Sequence, residues 1–124
     1  MTDEDKIKQM LKSDDFRALG FEMAIKYLGW CEFECVSFII EWIVDFDFKA
    51  LKKIEFTCLG FDFVIEKETI ETYVIESSIS IFSNNSENNR LYQNCYFKPN
   101  NKNDIIRIKA EIKNEIFHFL RYHI

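Results

Sequence analysis

Apolar positions recur with a helical period through the first third of this chain. They switch to a period of two after Ala50 and return to the helical period after Asn103. Within residues 3–12, Ile7, Met10 and Leu11 recur at helical spacing and predict a short helix. Ser13 or Asp14 then offers an N-cap, and the acidic residues suit the first turn of a second helix. In that helix Phe16, Leu19, Met23 and Tyr27 form one edge of an apolar stripe, widened by Ala24 and Leu28, and Gly29 is the stop signal. Residues 3–28 are expected to form a helical hairpin with a very short turn. In residues 32–44, "EFECVSFIIEWIV", Phe33, Val36, Ile40 and Val44 fit a helical stripe that Ile39 and Ile43 extend. The same residues are rich in β-formers, so a buried strand is the alternative to a buried third helix.

From Ala50 onward alternation takes over. Ile54, Phe56 and Cys58 alternate with Glu55 and Thr57, and beyond Gly60, Phe61, Phe63 and Ile65 alternate with Asp62 and Val64. This predicts two strands joined by a tight turn near Leu59-Gly60. "ETIETYVIESSISIF" continues in the same style, as one long strand or as two with a bulge at Ser77-Ser78. "SNNSENNR" and "KPNNKND" are polar and bracket "LYQNCYFK", a short strand. The final segment carries the clearest helical stripe: Ile105, Ile108, Ile112, Ile116 and Phe119, widened by Leu120, with Asn103 or Asp104 as cap. Arg107, Lys109 and Lys113 lie on its polar side with Glu111 and Glu115. The expected fold is α+β in one domain over 1–124: N-terminal helices over 3–47, an antiparallel meander of three to four strands over 50–97, and a long C-terminal helix over 103–123.

The segment "IKQMLKSDDFRALGFEMAIKYL", residues 7–28, is similar to the hairpin of HEAT-like helical repeats, with a Leu-bearing helix, a Ser-x-Asp turn and a Leu/Ala-bearing helix. The resemblance implies a helical hairpin and transfers no catalytic residue. No second copy follows, so a single capped hairpin is the expected unit.

Composition narrows the function classes. A chain of 124 residues that is 48% apolar, with thirteen phenylalanines, has ample material for a core. Its net charge of −5, without any run of Lys or Arg, disfavours nucleic acid and anionic membrane as partners. The charged N-terminus "MTDEDKIKQMLKSDD" lacks the apolar region of a signal peptide, and "CVSFIIEWIV" is too short and too interrupted to span a bilayer. A soluble protein of the reducing cytoplasm is expected, which makes the Asn84-Asn85-Ser86 sequon a chance match. The bias toward Ile, Lys, Asn and Phe is what an AT-rich bacterial or phage genome produces.

Few residues suggest chemistry. Cys31 and Cys35 in "WCEFEC" would share a helix face, but a closed zinc site needs four ligands. Cys58, Cys95, His118 and His123 stand in no metal-type pair, and C-x-x-x-C is not the redox spacing. Buried structural thiols are the expected reading. Cys95 with His118 would be the one nucleophile–base pairing, and Asp45 with Asp47 in "DFDF", joined by Asp62 and Glu66, the one magnesium-type cluster. Three isolated glycines exclude a P-loop or dinucleotide fingerprint. No cofactor is implied.

Large surface-prone residues remain. "RLYQNCYFKPN" is the best candidate contact segment, with Arg90, Tyr92, Tyr96, Phe97 and Lys98 as partner-binding residues. The expected function is a small non-enzymatic protein–protein interaction module of the immunity-protein, phage-inhibitor or virion-accessory type, with a basic partner suited to its charge. A small metal- or thiol-dependent hydrolase, and a homo-oligomeric subunit paired through the C-terminal helix, are the alternatives.

Overall fold

A computed structural model describes residues 2–46, 52–71, 76–83 and 90–123 of the chain. Its elements run α1 (Asp3–Lys12), a single 3-10 turn (Asp14–Phe16), α2 (Arg17–Leu28), α3 (Glu32–Phe46), β1 (Lys53–Cys58), β2 (Phe61–Ile70), β3 (Glu76–Ser83), β4 (Arg90–Phe97) and α4 (Lys102–His123). The four strands form one antiparallel sheet in chain order, and the architecture is α+β as the change of period predicts.

Local chemistry sets the helix boundaries. Thr2 and Asp5 form a reciprocal capping box at the start of α1. The Ser13–Asp14 cap expected for α2 is replaced by the 3-10 turn, and Ser13 instead closes α1 by donating its N–H to the carbonyls of Gln9 and Met10. Gly29, at φ +68°, ends α2 in the left-handed conformation that glycine adopts without strain. The segment 32–44 is helix, because Cys35, Val36, Ile39 and Ile40 gather on one buried stripe. The cap of α4 is Asn101, before the expected Asn103 or Asp104. Asn101 Oδ1 accepts the N–H groups of Asn103 (3.0 Å) and Asp104 (3.4 Å), while Asp104 turns back to accept the N–H of Lys98 (3.0 Å).

The β1–β2 turn falls at Leu59-Gly60, both with positive φ, as a two-residue hairpin requires. The next reversal differs from expectation. Ile70 is the register partner of Glu76, so the chain turns back between them and β3 does not continue β2. Ser77 and Ser78 pair regularly on both sides, and the sheet's irregularity lies between Ile79 and Phe82 against β4.

One face of the sheet carries the core. Ile54, Phe56, Phe63, Ile65, Ile79 and Ile81 are buried on it against the helices. The helix α4 crosses this face. Near its N-terminal end Arg107 and Glu111 meet β4; near its C-terminal end Phe119 stands edge-on to Phe61 and Phe63 at ring distances of 5.4 and 5.6 Å. Its apolar stripe, Ile108, Ile112, Ile116 and Leu120, is spent inside this chain. The helix α3 runs antiparallel beside it, with Glu41 paired to Lys109 (2.7 Å) and to Lys113, and Phe33 edge-on to Phe117.

Of the stripe expected to bury α2, Ala24 is in the core and Leu28 is half-buried, but the edge formed by Phe16, Leu19, Met23 and Tyr27 is not the core face. Phe16, Leu19 and Tyr27 are exposed, and Met23 is half-buried. The helix turns Arg17, Gly20, Phe21 and Ala24 inward instead. Small residues decide this. A Cβ on Gly20 would lie 2.8 Å from the main-chain nitrogen of Leu11, so α1 and α2 approach closely only through this face.

Candidate partner-binding surface

The strand β4 carries the contact residues that the sequence singles out, and the structure separates them. Phe97 is 2% exposed, paired opposite Ser77 on the inner face, and belongs to the core. The pleat places Phe97 inward and Tyr96 outward, because successive strand residues face opposite ways. Tyr96 is exposed, and so is Lys98 just beyond the strand. Arg90 opens the strand opposite Phe82; its side chain lies outside the described residues. Tyr92 is half-buried and donates its hydroxyl to the Glu111 carboxylate. Burial and that acceptor together hold the phenol protonated, well above its ordinary range.

Arg107 completes this corner. Its Nη1 reaches Cys95 Sγ at 2.8 Å and Glu111 Oε2 at 3.4 Å, and its Nη2 donates to the Tyr96 carbonyl at 3.4 Å. One guanidinium therefore fastens β4 to α4, and the corner is a clasp. The Cys95–His118 pairing is not formed here. Eleven residues, about 16 Å of helix axis, separate Arg107 beside Cys95 from His118, which is exposed.

The two cysteines of "WCEFEC" differ in burial. Cys31 precedes α3 as its N-cap: its carbonyl accepts the N–H groups of Glu34 (3.1 Å) and Cys35 (3.2 Å), and Glu34 Oε1 accepts the Cys31 N–H. Cys31 is exposed, whereas Cys35 is fully buried with Cys58. Burial, reinforced by the negative charge of Glu32, pushes both buried thiols up to about 12, which keeps them protonated and poor ligands. All four cysteines are free thiols, and no group of three His, Cys, Asp or Glu able to hold a metal occurs among the described residues. Asp47 and the side chains of Asp45 and His123 lie outside the described residues.

The surface that the sequence reading missed is on α2. Its exposed apolar residues Leu19, Ile25 and Tyr27, with Phe16 at its N-cap, are half of the large hydrophobic side chains that the described surface exposes. Ile25, on the other side of the buried face from the remaining three, lines a groove of about 750 Å³ between α2 and the edge strand β1. Phe21, Ile25 and Val64 give it an apolar lining, and Glu22, Glu32, Glu55 and Asp62 line it with carboxylates. Some of these acids also hold the frame. Glu32 accepts the Leu59 N–H at the β1–β2 turn, Asp62 accepts from Thr57 Oγ1 at 2.6 Å, and Glu55 pairs with Lys53 at 2.9 Å. Arg17 lies in the wall, 4% exposed.

Comparison with protein-family models, with curated proteins and with solved structures finds no match for this chain. Its surface is therefore interpreted from its own residues. The sequence signal for the α2 surface was present but ambiguous. An edge of Phe16, Leu19, Met23 and Tyr27 reads as core by period alone, and only the small residues Gly20 and Ala24 beside it indicate which side packs closely. No described helix is long and apolar enough to cross a membrane.

Proposed function

We propose that this chain is a small non-enzymatic protein–protein interaction module, of the immunity-protein, inhibitor or virion-accessory kind, working in the cytoplasm. The observation that carries this reading is the exposed apolar flank formed by Phe16 at the start of α2 with Leu19 and Tyr27 along the helix. Exposed apolar residues gathered on one flank mark contact surfaces, and aromatic side chains are enriched at interfaces. Tyr96 and Lys98 give a second, smaller contact region at the end of β4.

The net charge of −5 suits a basic partner, because opposite charge speeds encounter and suppresses wrong partners. Four free thiols suit a reducing compartment. The test is affinity capture from the protein's own cells with the wild type, Leu19→Glu and Tyr96→Ala. A basic protein retained by the wild type and lost with Leu19→Glu supports the reading. A partner indifferent to Leu19→Glu moves the contact off α2, and the absence of any partner contradicts the module.

A further inference from the structure

We propose that the pocket formed by Trp30, Phe33 and Phe117, with Glu34 at its side, binds a trimethylammonium group. This goes beyond the protein-binding reading and does not depend on it. The pocket is an open cavity of about 340 Å³ where the start of α3 meets the C-terminal half of α4, lined by Trp30, Phe33, Glu34, Ser37 and Phe117. That volume lies within the range of small-ligand sites.

The walls are fixed from three directions. Gly29 turns the chain at φ +68°, and Trp30 then donates its N–H to the Ala24 carbonyl at 3.2 Å, which sets where the indole leaves α2. Phe33 and Phe117 stand 5.5 Å apart at 83°, so their rings make a corner in which a seated group meets a face of each. Trp30 packs on Phe38 at 5.8 Å. All four aromatic residues are half-buried, so each keeps surface to offer a ligand.

The chemistry of this lining selects a cation without N–H donors. Aromatic faces are negative and attract cations, and a cage of such rings is the recurrent solution for quaternary ammonium groups. An unmethylated ammonium would surrender its water for three rings and few acceptors, which costs more than a methylated one loses. Glu34 is the one charged residue of the lining. Its Oε1 accepts the Cys31 N–H at 3.3 Å, which holds the carboxylate in place and leaves its charge. A trimethylammonium group donates no hydrogen bond and asks only for that charge. The same aromatic cluster already draws cations of this chain. Lys8 and Lys12 place their Nζ atoms 5.7 and 5.8 Å from the centroid of Phe38, the neighbour of Trp30. Neither lysine lines the pocket, and Lys8 is balanced by Glu4 at 3.4 Å.

The experiment titrates the ¹⁵N-labelled protein with choline, with the blocked amino acid trimethyllysine, and with 3,3-dimethylbutanol, the uncharged isostere of choline. The expected result is saturable shift changes at the Trp30 indole and at the amides of Phe33, Glu34, Ser37 and Phe117 with both cations, and binding of the isostere at least tenfold weaker. Glu34→Gln keeps an oxygen for the Cys31 N–H and removes the charge; it should weaken choline about threefold. Trp30→Leu should weaken it at least tenfold, with amide signals remote from the pocket unchanged to show that the variant folds. Trimethyllysine binding more tightly than choline supports the proposal and assigns the group to a protein side chain; the reverse order supports it and assigns the group to a free small molecule. Isostere binding equal to choline overturns the proposal in favour of a plain apolar pocket. Shifts mapping to another surface, or no saturable change with either cation, overturn it outright.

Discussion

Arg17 donates to the main-chain carbonyl of Glu55 at 3.1 Å across 38 positions of sequence. The same guanidinium donates to the Leu11 carbonyl at 3.1 Å, so one side chain joins the end of α1, the start of α2 and the edge strand β1. It is 4% exposed, and buried charge-assisted hydrogen bonds of this kind contribute about 1.5–3 kcal/mol each. Arg17→Met keeps the apolar stem and strands both carbonyls. It should lower stability in urea unfolding by about 3 kcal/mol. Arg17→Lys should recover only part of this, because an ammonium cannot span both acceptors as a planar fork does.

Gly20→Ala tests the close approach of the hairpin. The added methyl would meet Leu11 N at 2.8 Å and Met10 C at 3.0 Å, both main-chain atoms that cannot rotate away. Helix propensity favours alanine by about 1 kcal/mol, and overpacking of this kind costs about 1–3 kcal/mol. The substitution should therefore destabilise despite its better propensity, by about 1 kcal/mol in the same unfolding assay. A stabilised variant would mean that α1 and α2 are further apart than described.

Glu41 ties α3 to α4 through Lys109 and Lys113. Burial pushes its pKa up, but the hydrogen bonds and charges of the two lysines outweigh burial and set it below the ordinary 4.5. The folded value is depressed, so this contribution is fully present above 4.5 and is lost as pH falls through the lower folded value. Glu41→Gln should reduce stability at neutral pH and flatten the acid limb of the stability profile. Because the carboxylate is 43% exposed, the difference should shrink in high salt.

The buried thiols predict the alkaline limb. Cys35 and Cys58 have ordinary values of 9.0 and are raised to about 12, chiefly by burial. Unfolded thiols ionise above pH 9 while the folded ones stay protonated, so stability falls as pH rises from 9 toward 12. At pH 8 a thiol reagent should modify exposed Cys31 in the native protein and leave Cys35 and Cys58 intact, as peptide mapping would show. Rapid native labelling of Cys35 would contradict its place in the core.

Much of the fold is legible in the sequence where one physical signal dominates. The period change after Ala50 marks the sheet, Leu59-Gly60 marks its first hairpin, and the isoleucines of α4 mark its buried side. The reversal between Ile70 and Glu76 is illegible because "ETYVI" contains no Gly, Pro, Asn or Asp to signal a turn. Phe97 sits beside a polar loop, which alone suggests surface, whereas strand alternation places it inward and Tyr96 outward. The groove was invisible because its carboxylates come from α2, α3, β1 and β2, which no local window brings together.

The most direct measurement is a native mass spectrum of the protein gently purified from its own cells. A complex with one basic protein, dissociated by Leu19→Glu, is the predicted result. A bare monomer, a homo-oligomer or a mass increment from bound zinc would contradict the reading of α2 as a protein-binding surface.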